Sequence, residues 1–336
     1  LENLTYPWVV SALERLPRAA SALPRALLLT GRPGLGKRAT AFFLAQGLLC
    51  ETPRKELAAC GSCASCLLYR VGNHPDLRLI EVRQDEESPV PGAEDDGTGP
   101  AKKVSSQISV DRIRALMDFV TITSHRGGPK VICIVPAEAM HPSAANAVLK
   151  ILEEPPGETF FLLVSHQPER LLPTIRSRCF QLPFPLPDAG PALDWLKGQG
   201  IVDAKLALAQ GGYAPLAAIE RAGDASFWSQ RKALLDTLAT SGFDPLKAAD
   251  CAEDLDGALV ATLLSQWAYD VTALKSGGEV RYNLDYVAAL QKTSADVPID
   301  ELMTWYDLVV QFGRVSRHPL NKRLAMENLF STYPSR

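Results

Sequence analysis

An α/β chain built on a parallel sheet and followed by an all-helical remainder is the fold that three features of this sequence predict. Short apolar runs at Ala26–Leu29, Lys130–Val135 (KVICIV) and Phe160–Ser165 alternate with stretches of helical composition. That is the pattern of strands buried on both faces with crossover helices between them. The glycine-rich segment Gly31-Arg32-Pro33-Gly34-Leu35-Gly36-Lys37-Arg38 joins the first strand to the first long helix, the context of a phosphate-binding loop. Beyond Pro187 the residues read as helical.

Taken in order, Ala26–Leu29 reads as a strand, and Arg38–Leu49 as a helix with Phe42, Phe43 and Leu48 available to a core. Asp76–Val82 alternates as a strand does. From Arg83 to about Ser106 the chain turns acidic and rich in Gly and Pro, including Asp85-Glu86-Glu87 and Glu94-Asp95-Asp96, and is expected to form a surface loop. A helix is expected over Val110–Val120, then the central strand Lys130–Val135, then a helix over Ser143–Glu154 that Pro155-Pro156 stop. Phe160–Ser165, a helical stretch over Pro168–Ile175 and a short strand at Phe180–Leu182 complete the α/β part near residue 185. Pro183–Pro187 (PFPLP) reads as a linker. A small helical segment, Ala189–Ala222, is divided by Gly211-Gly212, and from Phe227 onward residues such as Leu263, Trp267, Val271 and Leu274 fall at core spacing for helices.

Length and composition bound what such a fold can do. At 336 residues and 46% hydrophobic content the chain has room for two or three domains with real cores. No apolar run approaches the about 18 residues that cross a bilayer, and no charged-then-apolar signal pattern opens the sequence, so a cytoplasmic chain is expected. A net charge of −3 and a pI near 6.0 exclude nucleic-acid binding through bulk positive charge. Any contact with DNA has to be local or shared with partners.

Two motifs carry chemistry. The glycine loop has the G-x-x-x-x-G-K spacing (Gly31, Gly36, Lys37), yet Arg38 stands where a Ser or Thr hydroxyl would ligate Mg²⁺. Lys37 is left with two roles, holding a phosphate or making an internal salt bridge. Of seven cysteines, four cluster as Cys50, Cys60, Cys63 and Cys66, a spacing that in a reducing compartment favours four thiolates around a structural Zn²⁺. Free thiols or a redox pair are the alternatives. Gly61, Ser62, Ala64 and Ser65 permit tight turns between ligands; His74 is set aside because four sulfurs close a site. Cys133, Cys179 and Cys251 are expected to be buried small side chains.

Three further segments, Ala144–Lys150 (AANAVLK), Leu152–Pro156 (LEEPP) and Ser177-Arg178-Cys179, together with the loop placed before a four-cysteine module, resemble the clamp-loader branch of AAA+ ATPases, as found in bacterial DNA polymerase III. The similarity extends through the chain, more weakly at Asn321, Leu324 and Glu327. It implies an AAA+ domain with the zinc module over residues 1–185, a small helical lid over 186–225 and a C-terminal helical collar over 226–336.

The family contains ATP-hydrolysing motors, gamma or tau, and a non-hydrolysing class. Where a motor carries Asp-Glu this chain has Val135-Pro136, and where a motor carries its second-sensor arginine the run Gly211-Gly212-Tyr213-Ala214 offers alanine. The resemblance therefore implies a subunit that does not bind ATP productively. It also implies a trans arginine finger at Arg178, against the plainer reading of a structural arginine capping a helix or pairing with an acid. Ser165 occupies the first-sensor position. Implied partners are the gamma or tau motors and the delta subunit, with the sliding clamp and primed DNA reached through the complex, and no membrane. The alternatives are an ATP-hydrolysing motor subunit and a zinc-dependent nucleic-acid module, the latter opposed by how few basic residues (Arg54, Lys55, Arg70) the cysteine segment holds.

Overall fold

The structure, a computed structural model, describes residues 6–17, 22–53, 57–82, 107–240, 242–316 and 322–334. The acidic loop expected from Arg83 to Ser106 lies outside the described residues, as do Arg54, Lys55 and Asn321. The chain divides into two compact units, Leu1–Pro191 and Ala192–Arg336.

The first unit is organised by its apolar strands. β1 (Ala26–Thr30), β3 (Lys130–Val135) and β4 (Thr159–Ser165) are buried along their whole length, whereas β2 (Leu77–Glu81) and β5 (Phe180–Pro183) are partly exposed. They form one sheet in the order β2-β3-β4-β1-β5, with every pairing parallel, so the most apolar strands take the middle. Parallel pairing brings all the carboxyl ends to one edge. There Thr30 stands in register with Ser165 on one side and Pro183 on the other, and Glu81 with Val135.

Helices α1 (Val10–Leu13), α2 (Lys37–Leu49), α3 (Ala64–Arg70), α4 (Val110–Thr121), α5 (Pro142–Glu153) and α6 (Pro173–Arg178) complete this unit. The α4, α5 and α6 side chains Ile113, Leu116, Val148, Ile151 and Ile175 join Leu28, Ile132 and Phe161 in one buried cluster. The helix expected over Pro168–Ile175 divides into a 3₁₀ turn at Pro168–Arg170 and α6. The ring of Pro173 disfavours helical backbone at the preceding residue, and Leu172 accordingly sits at ψ 132. Arg178 thereby becomes the last residue of a helix.

Helices α7 (Ala189–Gly198), α8 (Ala204–Gln210), α9 (Pro215–Gly223), α10 (Ala225–Ala239), α11 (Pro245–Glu253), α12 (Gly257–Lys275), α13 (Val287–Asp296), α14 (Ile299–Val315) and α15 (Lys322–Ser331) follow. Four of them start at an aspartate, Asp203, Asp224, Asp244 or Asp256, whose carboxylate accepts from amides of the first turn and so fixes where the helix begins. Leu263, Trp267 and Val271 are buried as expected, and Leu274 packs against them. Cys251 departs from expectation: it is exposed, because Ala248, Ala249 and Ala252 form the buried stripe of α11 and residue 251 falls on the opposite side.

A polar core ties the second unit together. The fully buried Asp270 carboxylate accepts from the backbone amides of Arg281 (2.8 Å), Tyr282 (3.1 Å) and Asn283 (2.7 Å) and from Asn283 Nδ2 (2.9 Å). Arg231, 2% exposed, donates to both oxygens of Asp285 (2.7 Å each) and to Asn283 Oδ1 (3.0 Å). Tyr213 and Gln210 donate to the carbonyls of Arg281 and Tyr282, each at 2.9 Å, which joins α8 and its following turn to the same segment. Asp270→Ala strands several buried donors at once and should cost the second unit about 3 kcal/mol or more. Urea unfolding followed by the fluorescence of Trp267 and Trp305, both in that core, should show an earlier transition, and an unchanged midpoint would contradict this role.

Candidate functional site

The glycine loop lies at the carboxyl edge of the sheet, between β1 and α2. Gly31, Gly34 and Gly36 take φ values of 141, 77 and 84, a backbone path that residues with a Cβ adopt only with strain. Contact reinforces this. A Cβ on Gly31 would meet the Phe184 carbonyl at 2.5 Å, and one on Gly36 would meet the Tyr6 ring at 2.7 Å. Trp8, stacked on Tyr6 with centroids 5.4 Å apart, donates from Nε1 to the Leu35 carbonyl at 3.1 Å.

Lys37 is 2% exposed, and its ammonium turns back on its own loop, donating to the carbonyls of Gly31 and Arg32 at 2.5 Å each. Burial lowers its pKa to about 8, with the charge of Glu138 opposing that shift. Arg38, at the position of the metal-ligating hydroxyl, reaches the end of β2 instead. Its Nε and Nη2 bind the two Glu81 oxygens at 2.6 and 3.2 Å, and its guanidinium lies 4.4 Å from the centroid of the Phe42 ring. A guanidinium paired with a carboxylate there contributes a cation but no ligand for one.

Val135 closes β3 and Pro136 follows it, so neither supplies a carboxylate. A carboxylate that the motif pattern does not reveal, Glu138, stands three residues beyond Val135. Glu138 Oε1 accepts from the His166 amide at 2.9 Å, which links the segment after β3 to the end of β4. Ser165 Oγ, His166 Nδ1 and Glu138 Oε2 are buried at this edge without hydrogen-bond partners among the described residues. Burial lowers the His166 imidazole below its ordinary range, Lys37 adds to that, and Glu138 opposes it. The carboxylate's distance of three residues past an apolar run was the signal in the sequence that could have found it.

Arg178 is only partly exposed. Its Nη1 donates to the Thr174 carbonyl at 3.0 Å and its Nη2 meets Glu153 Oε1 at 2.5 Å, so the S-R-C arginine is held against the LEEPP segment of the same chain. Ala214 caps α9 and is buried.

The four cysteines come together. Their sulfurs lie within 4.8 Å of one another, with Cys50 to Cys63 and Cys60 to Cys66 each 3.9 Å apart, so the cluster could hold a metal ion. Thiolates about 2.3 Å from a tetrahedral Zn²⁺ stand about 3.8 Å apart, which these spacings match. Amides aim at the sulfurs: Cys60 N at Cys50, Cys63 N at Cys60 and Cys66 N at Cys63, at 3.2 to 3.4 Å. The Thr52 side chain, then the Ser62 and Cys63 amides, lower the Cys60 thiol to about 5, while burial raises Cys66 to about 12. A bound cation is what would allow all four to ionise together. Gly61 makes its turn at φ 79, whereas Ala64 and Ser65 open α3 and are helical where turns are expected.

The module is fastened to the sheet. Ser65 Oγ donates to Glu51, Glu51 pairs with Arg126, and the buried Asp76 carboxylate accepts the His125 and Arg126 amides at 2.7 and 2.9 Å. Close approach to α2 requires Gly47, where a Cβ would lie 1.8 Å from the Leu57 carbonyl. His74 stays outside the cluster, its Nδ1 accepting from the Asp76 amide. Among the described residues no helix is long and apolar enough to cross a membrane.

Comparison with known proteins gives a consistent set of similarities. A family model described as DNA polymerase III, delta subunit, matches residues 10–188. The chain is 44% identical over 191 residues to DNA polymerase III subunit delta' of Pseudomonas aeruginosa, which is 57% of this chain and 52% of that protein, so the match spans about half the length of that relative. To the delta' subunit of Yersinia pestis it is 35% identical over 302 residues, 85% of this chain and 82% of the relative. Among solved structures it is similar to a DNA polymerase III gamma subunit-related protein of Thermotoga maritima, at 17% identity and a TM-score of 0.44, with 97% of this chain and 98% of that one covered.

Metal analysis of the purified chain should find about one tightly held ion, and Cys66→Ser should release it and loosen residues 50–70 while leaving the sheet folded, since such ions contribute on the order of 10 kcal/mol in small modules. Metal-free protein with four freely titrating thiols in the cluster would refute a metal site.

Proposed function

Because this chain belongs to the DNA polymerase III delta-subunit family, as its match to the family model and its delta' relatives show, we propose that it is a delta-prime subunit that does not itself hydrolyse ATP. In this reading it braces a cytoplasmic clamp loader that places the sliding clamp on primed DNA. Its partners there are gamma or tau motors and the delta subunit, met through a collar over residues 226–336, with residues 186–225 as the lid. The ion held by Cys50, Cys60, Cys63 and Cys66 is a structural Zn²⁺.

The observation that carries the non-hydrolysing reading is the Arg38–Glu81 pair in place of a metal-ligating hydroxyl. Phosphoryl transfer depends on a positioned metal ion and oriented charges, and Val135 and Pro136 supply neither a metal carboxylate nor a base. A motor reading has only the retained Gly31, Gly36 and Lys37 in its favour. Calorimetric titration of the isolated chain with Mg·ATP distinguishes the two. No measurable binding is expected, and Arg38→Thr alone should restore no turnover; tight, Mg²⁺-dependent binding would overturn the non-hydrolysing reading.

Arg178 is the residue through which this subunit serves a neighbour's ATP, as a trans arginine finger. In the isolated chain Glu153 holds it, but side chains 35% and 51% exposed make an ion pair worth at most about 1 kcal/mol. Exchanging Glu153 for a phosphoryl oxygen on assembly is therefore cheap beside a finger's effect of roughly 10³ to 10⁵ in rate. With the loader reconstituted from motors, delta, clamp and primed DNA, Arg178→Ala should assemble normally and lose the adjacent site's share of stimulated ATPase. Arg178→Lys should rescue poorly, lacking the planar fork. Undiminished ATPase and loading in an assembled Arg178→Ala complex would make the residue structural.

A further inference from the structure

We propose that Arg281, framed by Tyr213, Tyr269 and Tyr282, is a docking point for a carboxylate side chain of a partner protein. The site lies within the second unit and is independent of both the glycine loop and Arg178.

Among the described residues no carboxylate answers the charge of Arg281. Asp270 is committed to the amides of Arg281, Tyr282 and Asn283, and Asp285, four residues further on, is taken by Arg231 at 2.7 Å. Arg281 Nε is buried without a hydrogen-bond partner among those residues. Rings surround the guanidinium instead, its carbon lying 4.6 Å from the Tyr213 centroid and 5.7 Å from that of Tyr282. Tyr269, 45% exposed, packs edge-to-face on Tyr282 with centroids 5.4 Å apart and is a hydrogen-bonding neighbour of Arg281. Aromatic faces attract a cation, but they leave N–H groups at the edge of its plane for the two oxygens of a carboxylate.

The backbone that presents Arg281 is fixed in advance. Residues 281–283 lie between α12 and α13 in no regular element, yet Asp270 takes their three amides, while Tyr213 and Gln210 donate to the Arg281 and Tyr282 carbonyls. Tyr213 itself sits at φ 66, a left-handed backbone that a residue with a Cβ holds at a cost, and its ring lies against Arg281. An arginine set rigidly among tyrosines has the composition and the preorganisation of an interface hot spot. Its complement is a single protein carboxylate and not a nucleic-acid backbone. Residues 277–286 hold Arg281 as their one basic residue beside Glu279 and Asp285, whereas binding to a phosphate chain recruits several cations.

The test follows the full chain by NMR at constant ionic strength while a blocked leucine-glutamate-leucine tripeptide is added. Saturable shifts are expected at the Arg281 Nε–H and at the neighbouring amides. The glutamine counterpart of the peptide keeps the shape without the charge and should bind at least about fivefold more weakly. Arg281→Gln should lose this discrimination, and Arg281→Lys should recover it only in part, because a point charge lacks the planar fork. Since Asp270, Tyr213 and Gln210 hold the backbone of this segment, both variants should fold, which melting curves check. An arginine that only braces Tyr213 and Tyr282 would let the two peptides bind the wild type alike. That result, discrimination that survives Arg281→Gln, or an oligothymidylate that binds the patch more tightly than the glutamate peptide overturns the inference.

Discussion

Everything at the carboxyl edge depends on one constraint, the parallel pairing of three strands that are buried on both faces. β1, β3 and β4 are apolar throughout and can satisfy their backbone groups only by lying side by side with helices above and below. Parallel direction then forces the segments that leave these strands to emerge together. The glycine loop, the Glu138 turn and the Ser165–His166 corner are neighbours for that reason, although more than a hundred residues separate the first from the others.

At this edge charge is balanced within the chain. Arg38 finds Glu81 and Lys37 spends two donors on its own loop, while at the amino ends of the strands, before β4 and β5 begin, Arg178 rests on Glu153. The three arrangements differ in strength. Lys37 is sealed by burial, whereas Arg38 and Arg178 are exposed enough for water to weaken their pairs. The buried cation is fixed in the fold, whereas the exposed ones are free to exchange partners.

The cysteine module and the second unit are held by different means. The module hangs on the close approach at Gly47 and on the Glu51, Arg126 and Asp76 links to the sheet, so its attachment is polar and local. The second unit combines a helical apolar core with the buried Asp270 and Arg231 network, whose hydrogen bonds join segments distant in sequence. Such networks fix one arrangement of helices among the several that an apolar core alone would tolerate.

By itself the sequence determined the parallel sheet, the helical remainder and the four-cysteine cluster. Strands at Lys130–Val135 and Phe160–Ser165 were legible because burial on both faces leaves an unbroken apolar run, and Cys50, Cys60, Cys63 and Cys66 because metal ligands recur at short spacings. Glycine spacing likewise located the loop. Only the tertiary structure decided who pairs with whom: that Arg38 reaches Glu81, that Arg178 meets Glu153, and that Glu138 takes the His166 amide. It also decided that Cys251 faces outward and that Pro173 restarts the helix bearing Arg178. The physical reason is range. Periodicity and spacing record interactions between residues a few positions apart, whereas charge partners are chosen where separate strands end, and nothing in a linear pattern records which ends the sheet will bring together.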